Sequence, residues 1–77
     1  MKEMIGFIAR ALVENPAAVV VDQEQGADGS VLVKLGAARE DMGRIIGKQG
    51  RTAKAMRTLL NAKATRESKR AALQIME

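Results

Sequence analysis

The stretch Arg44-Ile45-Ile46-Gly47-Lys48-Gln49-Gly50-Arg51 decides how this chain is read. Two glycines bracket two polar residues, and an apolar-periodic segment lies on each side. Upstream, Ala38 to Ile46 reads as a short helix that Gly47 ends. Downstream, Arg51 to about Arg66 reads as a longer helix, so residues 47–50 join two helices. A G-x-x-G taken alone is usually a helix cap followed by a relaxed helix entry. Spacing excludes two phosphate motifs. A Walker A loop places four residues between its glycines and Ser or Thr directly after its lysine; here Gly43 and Gly47 enclose three residues, and Gln49 follows Lys48. The dinucleotide fingerprint begins with G-x-G after a strand, and here a helix precedes a bare G-x-x-G.

The rest of the chain is punctuated clearly. Met4, Ile5, Phe7, Ile8, Ala11 and Leu12 recur at helical spacing, and Asn15-Pro16 stops the pattern because proline restricts the residue before it and donates no amide. Val19 and Val21 alternate with Val20 and Asp22. Val31, Val33 and Leu35 alternate with Leu32 and Lys34, and Gly26-Ala27-Asp28-Gly29 between the two runs is turn chemistry, so the pair reads as a hairpin. Ala71, Leu73 and Ile75 alternate with Ala72, Gln74 and Met76 as a closing strand. The expected order is α-β-β-α-α-β, an α+β fold in one domain spanning residues 1–77.

Composition removes whole classes of function. The chain has 77 residues, is 47% hydrophobic and 29% charged, and has no Cys and no His. A structural zinc site, a disulfide framework, a cysteine nucleophile and a histidine general base are therefore excluded. Ser30 and Ser68 have no histidine to activate them and the carboxylates are scattered, so no enzyme and no cofactor is expected. The longest apolar run, Pro16 to Val21, is far short of the roughly 20 residues that span a bilayer. The start Met1-Lys2-Glu3-Met4, with Arg10 interrupting the apolar stretch, is no secretory signal. The expectation is a cytoplasmic protein without membrane insertion.

The net charge of +4 is modest but unevenly spread. Residues 1–38 carry three bases and five acids, whereas residues 39–70 carry ten bases and three acids. From Met42 through Lys63 there are six bases and no acid. Such a run is either a solvated helix face or a polyanion site, and position decides between them. On the longer helix, steps of about 100° per residue group Arg51, Lys54 and Arg57 on one arc and Ala53, Met56, Leu59 and Leu60 on the opposing, core side. Arg51 opens that helix, where the macrodipole disfavours a cation, which points to an anion nearby.

Ile45-Ile46-Gly47-Lys48-Gln49-Gly50 resembles the Val/Ile-Ile-Gly-x-x-Gly signature of the KH domain, whose loop joins two helices and clamps about four nucleotides. The element order is similar to the type II, prokaryotic KH variant, and the resemblance covers nearly the whole chain. Asp41 to Arg51, followed by Ala53-Lys54-Ala55-Met56-Arg57-Thr58-Leu59, resembles the small bacterial single-KH proteins of the KhpA type. The resemblance implies a type II KH fold with a three-stranded sheet packed on one side by helices. It also implies single-stranded RNA binding as an RNA chaperone or post-transcriptional regulator, a homodimer, and a heterodimer with a larger Jag/KhpB-type KH protein.

The chemistry of the residues agrees. Gly47 and Gly50 remove side chains so that backbone can approach phosphate, and the first amides of the following helix are donors at its positive end. Lys48 and Gln49 add a charge and an amide at the loop tip, flanked by Arg44, Arg51, Lys54 and Arg57. One of Ile45 and Ile46 faces the core and the other a groove for bases; the sequence leaves open which. With Phe7 as the sole aromatic, aromatic stacking platforms are excluded, so recognition uses aliphatic contacts and hydrogen bonds. The other reading is a dimerisation or protein-interaction module that contacts RNA incidentally.

Overall fold

The computed structural model describes residues 1–76. Helix α1 (Lys2–Leu12) is followed by a 3₁₀ turn at Pro16–Ala18 and by the hairpin strands β1 (Val20–Gln25) and β2 (Val31–Gly36). A second 3₁₀ turn, Arg39–Asp41, leads into α2 (Met42–Ile46). A third, Lys48–Gly50, leads into α3 (Arg51–Arg66), and β3 (Ala71–Ile75) closes the fold. The expected element order is therefore present. The segment read as one helix from Ala38 is a 3₁₀ turn plus five α-helical residues.

The sheet runs β1-β2-β3, with β1 antiparallel to β2 and β2 parallel to β3. A tight turn suffices for the first pairing, where the Asp28 carboxylate takes the Ser30 hydroxyl at 2.6 Å and the Ser30 amide at 3.0 Å. Those hydrogen bonds hold Asp28 below the usual carboxylate range. Parallel pairing needs a crossover, and α2, the 47–50 loop and α3 supply it. The phosphate-loop candidate is thus carried on the connection between two neighbouring parallel strands.

Alternation decides which face the helices cover. On β2, Val31, Val33 and Leu35 are buried while Leu32, Lys34 and Gly36 are half-buried on the other face. Ile5 and Ala9 of α1, one turn apart, join Ile45 of α2, Met56 and Leu60 of α3, and Leu73 of β3 against that buried face. All the helices lie on one side of the sheet, as expected. Full burial of a side chain such as Leu35 or Leu60 stabilises the fold by roughly 1.5–3 kcal/mol.

Two apolar residues depart from the sequence reading. Leu59, placed in the core by its arc, is 51% exposed, and Phe7 is 76% exposed. Ile5 and Ala9 take the buried stripe of α1, and Ala53, Met56, Leu60 and Ala64 take that of α3. Phe7 and Leu59 lie beyond the edges of those stripes.

The far end of α3 is closed by its backbone. Ser68 adopts a left-handed conformation (φ 58°), its amide reaches the Thr65 carbonyl at 3.0 Å, and the Lys69 amide reaches the Ala64 carbonyl at 2.8 Å. This Schellman closure satisfies two carbonyls that the helix end leaves open. Lys63 and Arg66 in the last turn complement the dipole. Among the described residues no helix is long and apolar enough to cross a membrane.

Candidate nucleic-acid interface

The 47–50 loop is a tight turn built from unusual backbone. Gly47 sits at φ 78°, ψ 169°, a region open in practice only to glycine. Gln49 (φ 57°, ψ 26°) and Gly50 (φ 74°, ψ 12°) are both left-handed. The two glycines serve different purposes. A Cβ on Gly47 would overlap the Thr52 side chain, lying 2.6 Å from Thr52 Cβ and 2.8 Å from the Thr52 amide nitrogen. At Gly50 the same atom would meet nothing within 4 Å. Gly47 lets the loop close on α3; Gly50 leaves an open approach to the backbone.

The turn also determines which amides are free. Gly47 N–H donates to the Gly43 carbonyl at 2.8 Å, Gly50 N–H to the Gly47 carbonyl at 3.1 Å, and Arg51 N–H to the Lys48 carbonyl. The first amide of α3, expected to be an open donor, is therefore satisfied by the 3₁₀ turn. The amides of Lys48 and Gln49, at the loop tip, donate to no group among the described residues. Both side chains are exposed there, and the Gln49 Oε1 accepts a hydrogen bond from Arg51 Nη2 at 3.3 Å.

Ion pairing sorts the basic run. Arg44 Nη2 lies 2.8 Å from Glu14 Oε1, and its Nε lies 3.8 Å from Asp41 Oδ1. Lys63 pairs with Glu67 at 3.6 Å. Lys48, Arg51, Lys54 and Arg57 form no ion pair among the described residues, and all four are exposed. The loop and the first half of α3 thus share an uncompensated positive field, while Arg44 is engaged by carboxylates.

Arg44 belongs to the mount of the loop. Asp41 is 1% exposed and accepts the amides of Glu14 (3.2 Å) and Asn15 (3.1 Å). A carboxylate this buried is tolerable because its oxygens are hydrogen-bonded. Through it the chain leaving α1 is fastened to the start of α2. Ile45 is fully buried beneath, whereas Ile46 is half-buried. That answers the question left open by the sequence: Ile45 anchors α2 to the core, and Ile46 is the isoleucine at the surface beside the loop.

A slot of about 220 Å³ lies between α3 and β3, lined by Arg57, Leu60, Asn61, Ala71, Ala72 and Leu73. Asn61, Ala71 and Ala72 were not singled out from the sequence. The i, i+4 pair Arg57–Asn61 was the one available signal for a polar wall there. On the β3 side the lining is Ala71, Ala72 and Leu73, and among the described residues the outer edge of β3 is unpaired.

Residues 2–75 match the family described as KhpA/KhpB, KH domain. The chain belongs to that family. It is 49% identical over 76 residues to a protein named RNA-binding protein KhpA in Caldanaerobacter subterraneus subsp. tengcongensis, covering 99% of this chain and all of the relative. It is 47% identical over 77 residues to a protein of the same name in Listeria monocytogenes, covering both chains completely. A third relative of that name, in Treponema pallidum, is 46% identical over 76 residues, covering 99% of this chain and 94% of its own. No solved structure matches the chain. As a KH domain, the chain carries its G-x-x-G loop where α2 gives way to α3, with Gly47, Lys48, Gln49, Gly50, Arg51, Lys54 and Arg57 running from that loop toward the slot. Of the ten residues singled out from the sequence, Ile45 is directed into the core and Arg44 to Glu14 and Asp41.

Proposed function

We propose that this chain binds single-stranded RNA without catalysis, seating the sugar–phosphate backbone on the 47–50 loop and the bases over Ile46 and in the slot between α3 and β3. The observation that carries this reading is the coincidence at one place of two unengaged amides, an open glycine and four unpaired cations. Amides and cations position phosphate and carry no sequence information themselves. A slot holding one polar pair and no aromatic reads few base edges, which suits an RNA chaperone or post-transcriptional regulator acting on many transcripts in the bacterial cytoplasm. The names of the relatives support the same ligand.

The test is the double variant Lys48→Asp with Gln49→Asp, which sets two negative charges against the phosphates. Both positions are exposed, and aspartate tolerates the left-handed backbone at 49. Anisotropy with a labelled single-stranded RNA is expected to show binding abolished, with melting nearly unchanged. Parent-like binding by this variant removes the loop from the mechanism.

Exposed Phe7 and Leu59 favour self-association as a second property of the same molecule. Met4, half-buried one turn from Phe7, lines a groove with Leu59 and Ala62. An apolar face of this kind suits a homodimer or a heterodimer with a larger Jag/KhpB-type KH protein. High salt separates the two surfaces, because RNA contact weakens with salt and apolar contact persists.

A further inference from the structure

Thr52 is the second residue of α3, and two observations set its side chain apart. Threonine in a helix commonly returns its hydroxyl to a carbonyl one turn back, as Thr58 does with the Lys54 carbonyl at 3.1 Å. The Thr52 hydroxyl donates to no group among the described residues, and the Lys48 carbonyl, one turn back, already accepts the Arg51 amide. The second observation is orientation. The Thr52 atoms closest to where a Gly47 Cβ would lie are its hydroxyl oxygen, its Cβ and its amide nitrogen, so the hydroxyl branch rather than the methyl leans toward Gly47. A side chain serving only as an apolar floor gains by turning the methyl inward. Thr52 is half-buried, and no buried side-chain oxygen lacks a partner among the described residues, so this hydroxyl is not sealed from solvent.

We propose that the Thr52 hydroxyl donates a hydrogen bond to the RNA phosphate held by the 47–50 loop, making Thr52 a ligand-binding residue alongside the Lys48 and Gln49 amides. This rests on the reading that RNA phosphate occupies the loop. The bond is of the O–H to O⁻ type, which is shorter and about twice as strong as one between neutral groups. It carries no charge of its own. It therefore adds affinity that salt does not screen in proportion, in contrast to Lys48, Arg51 and Lys54.

The test compares Thr52→Val, which keeps the branched shape and removes the donor, with Thr52→Ser, which keeps the donor and removes the methyl. Binding is read by anisotropy on a labelled 12-nucleotide single-stranded RNA, once with ordinary phosphates and once with phosphorothioates. Thr52→Ser is expected within about threefold of the parent, and Thr52→Val is expected to bind about tenfold more weakly with the same salt slope. Phosphorothioate substitution is expected to weaken the parent and Thr52→Ser and to leave Thr52→Val little changed. Parent-like affinity for Thr52→Val, or equal phosphorothioate effects in all three proteins, overturns the proposal. If Thr52→Val melts early, Thr52→Ser against Thr52→Ala decides instead, and equal affinities there overturn it. The Lys48→Asp, Gln49→Asp double variant is run beside these. Its loss of binding with an unaffected Thr52→Val removes only the Thr52 bond, whereas its parent-like binding removes the loop reading.

Discussion

Gly47→Ala adds one methyl group where the loop and α3 come into closest contact. Two costs add. The backbone at φ 78°, ψ 169° strains any residue with a Cβ by about 1–3 kcal/mol. The new Cβ would also lie 2.6 Å from Thr52 Cβ and 2.8 Å from the Thr52 amide nitrogen, and the nitrogen cannot move without shifting the first turn of α3. Overpacking of this kind costs about 1–3 kcal/mol more, so a total near 3 kcal/mol or above is expected. A 77-residue domain has about 4–12 kcal/mol in all, so the loss is a large share of its stability. Gly50→Ala is the internal control. Its left-handed backbone costs about 1–2 kcal/mol and its Cβ enters open space. Urea unfolding followed by circular dichroism, at constant m-value, gives both numbers. The melting temperature is expected to fall about 4–8 °C per kcal/mol, hence about 1.5 to 3 times as far for Gly47→Ala as for Gly50→Ala. Adding Thr52→Ala to Gly47→Ala removes the overlap with the Thr52 hydroxyl but not that with its Cβ and amide nitrogen, nor the backbone strain, so only about 1 kcal/mol is expected back. Equal costs for the two glycine variants would refute the argument that Gly47 serves the fold and Gly50 the approach.

Three other outcomes follow from the same geometry. With three or four phosphates neutralised, log affinity against log salt is expected to fall with a slope of about −2 to −3; Lys54→Gln flattens it, and Arg44→Gln, already paired with Glu14, flattens it less. Asp41→Ala leaves the Glu14 and Asn15 amides without acceptors and is expected to lower unfolding stability by about 2–4 kcal/mol, measured by urea titration. Leu59→Asp is expected to give a single species near the 8.3 kDa chain mass in sedimentation equilibrium. It should leave affinity for a four-nucleotide RNA unchanged and lower affinity for an RNA long enough to bridge two sites by about 10² or more.

The sequence made α3 legible because sixteen residues give more than four turns of periodic pattern, and its bounds at Arg51 and Arg66 match the reading. The hairpin was legible because alternation and turn residues agree. The five-residue α2 is too short for periodicity to separate two adjacent isoleucines, so only packing shows that Ile45 goes inward. Arg44 meets Glu14, thirty positions earlier, and no local pattern carries that pairing. The slot has the same origin, since Asn61 and Ala72 line one slot only because the crossover lays β3 beside β2. Leu59 was misplaced for a different reason. It lies only about 60° around the helix from Met56, and an arc wide enough to hold the core residues of α3 takes it in as well.

That misplacement bears on how the surfaces combine. Leu59 is two residues from Arg57 and two from Asn61, so at about 100° per residue it points roughly 160° away from both. Helix α3 therefore carries three stripes: Ala53, Met56, Leu60 and Ala64 inward; Lys54, Arg57 and Asn61 toward the loop and slot; Leu59 and Ala62 outward. A partner seated on Leu59 and Met4 leaves Arg57 and Asn61 uncovered. A second copy bound there would keep both clamps open and hold them at fixed spacing on one rigid pair of helices. One clamp of about four nucleotides gives little affinity, and linking two raises it through effective concentration with no new contact to RNA. The exposed leucine and the basic run are thus geometrically compatible: under the proposed reading the first would set how many clamps an RNA meets, and the second how tightly each one holds.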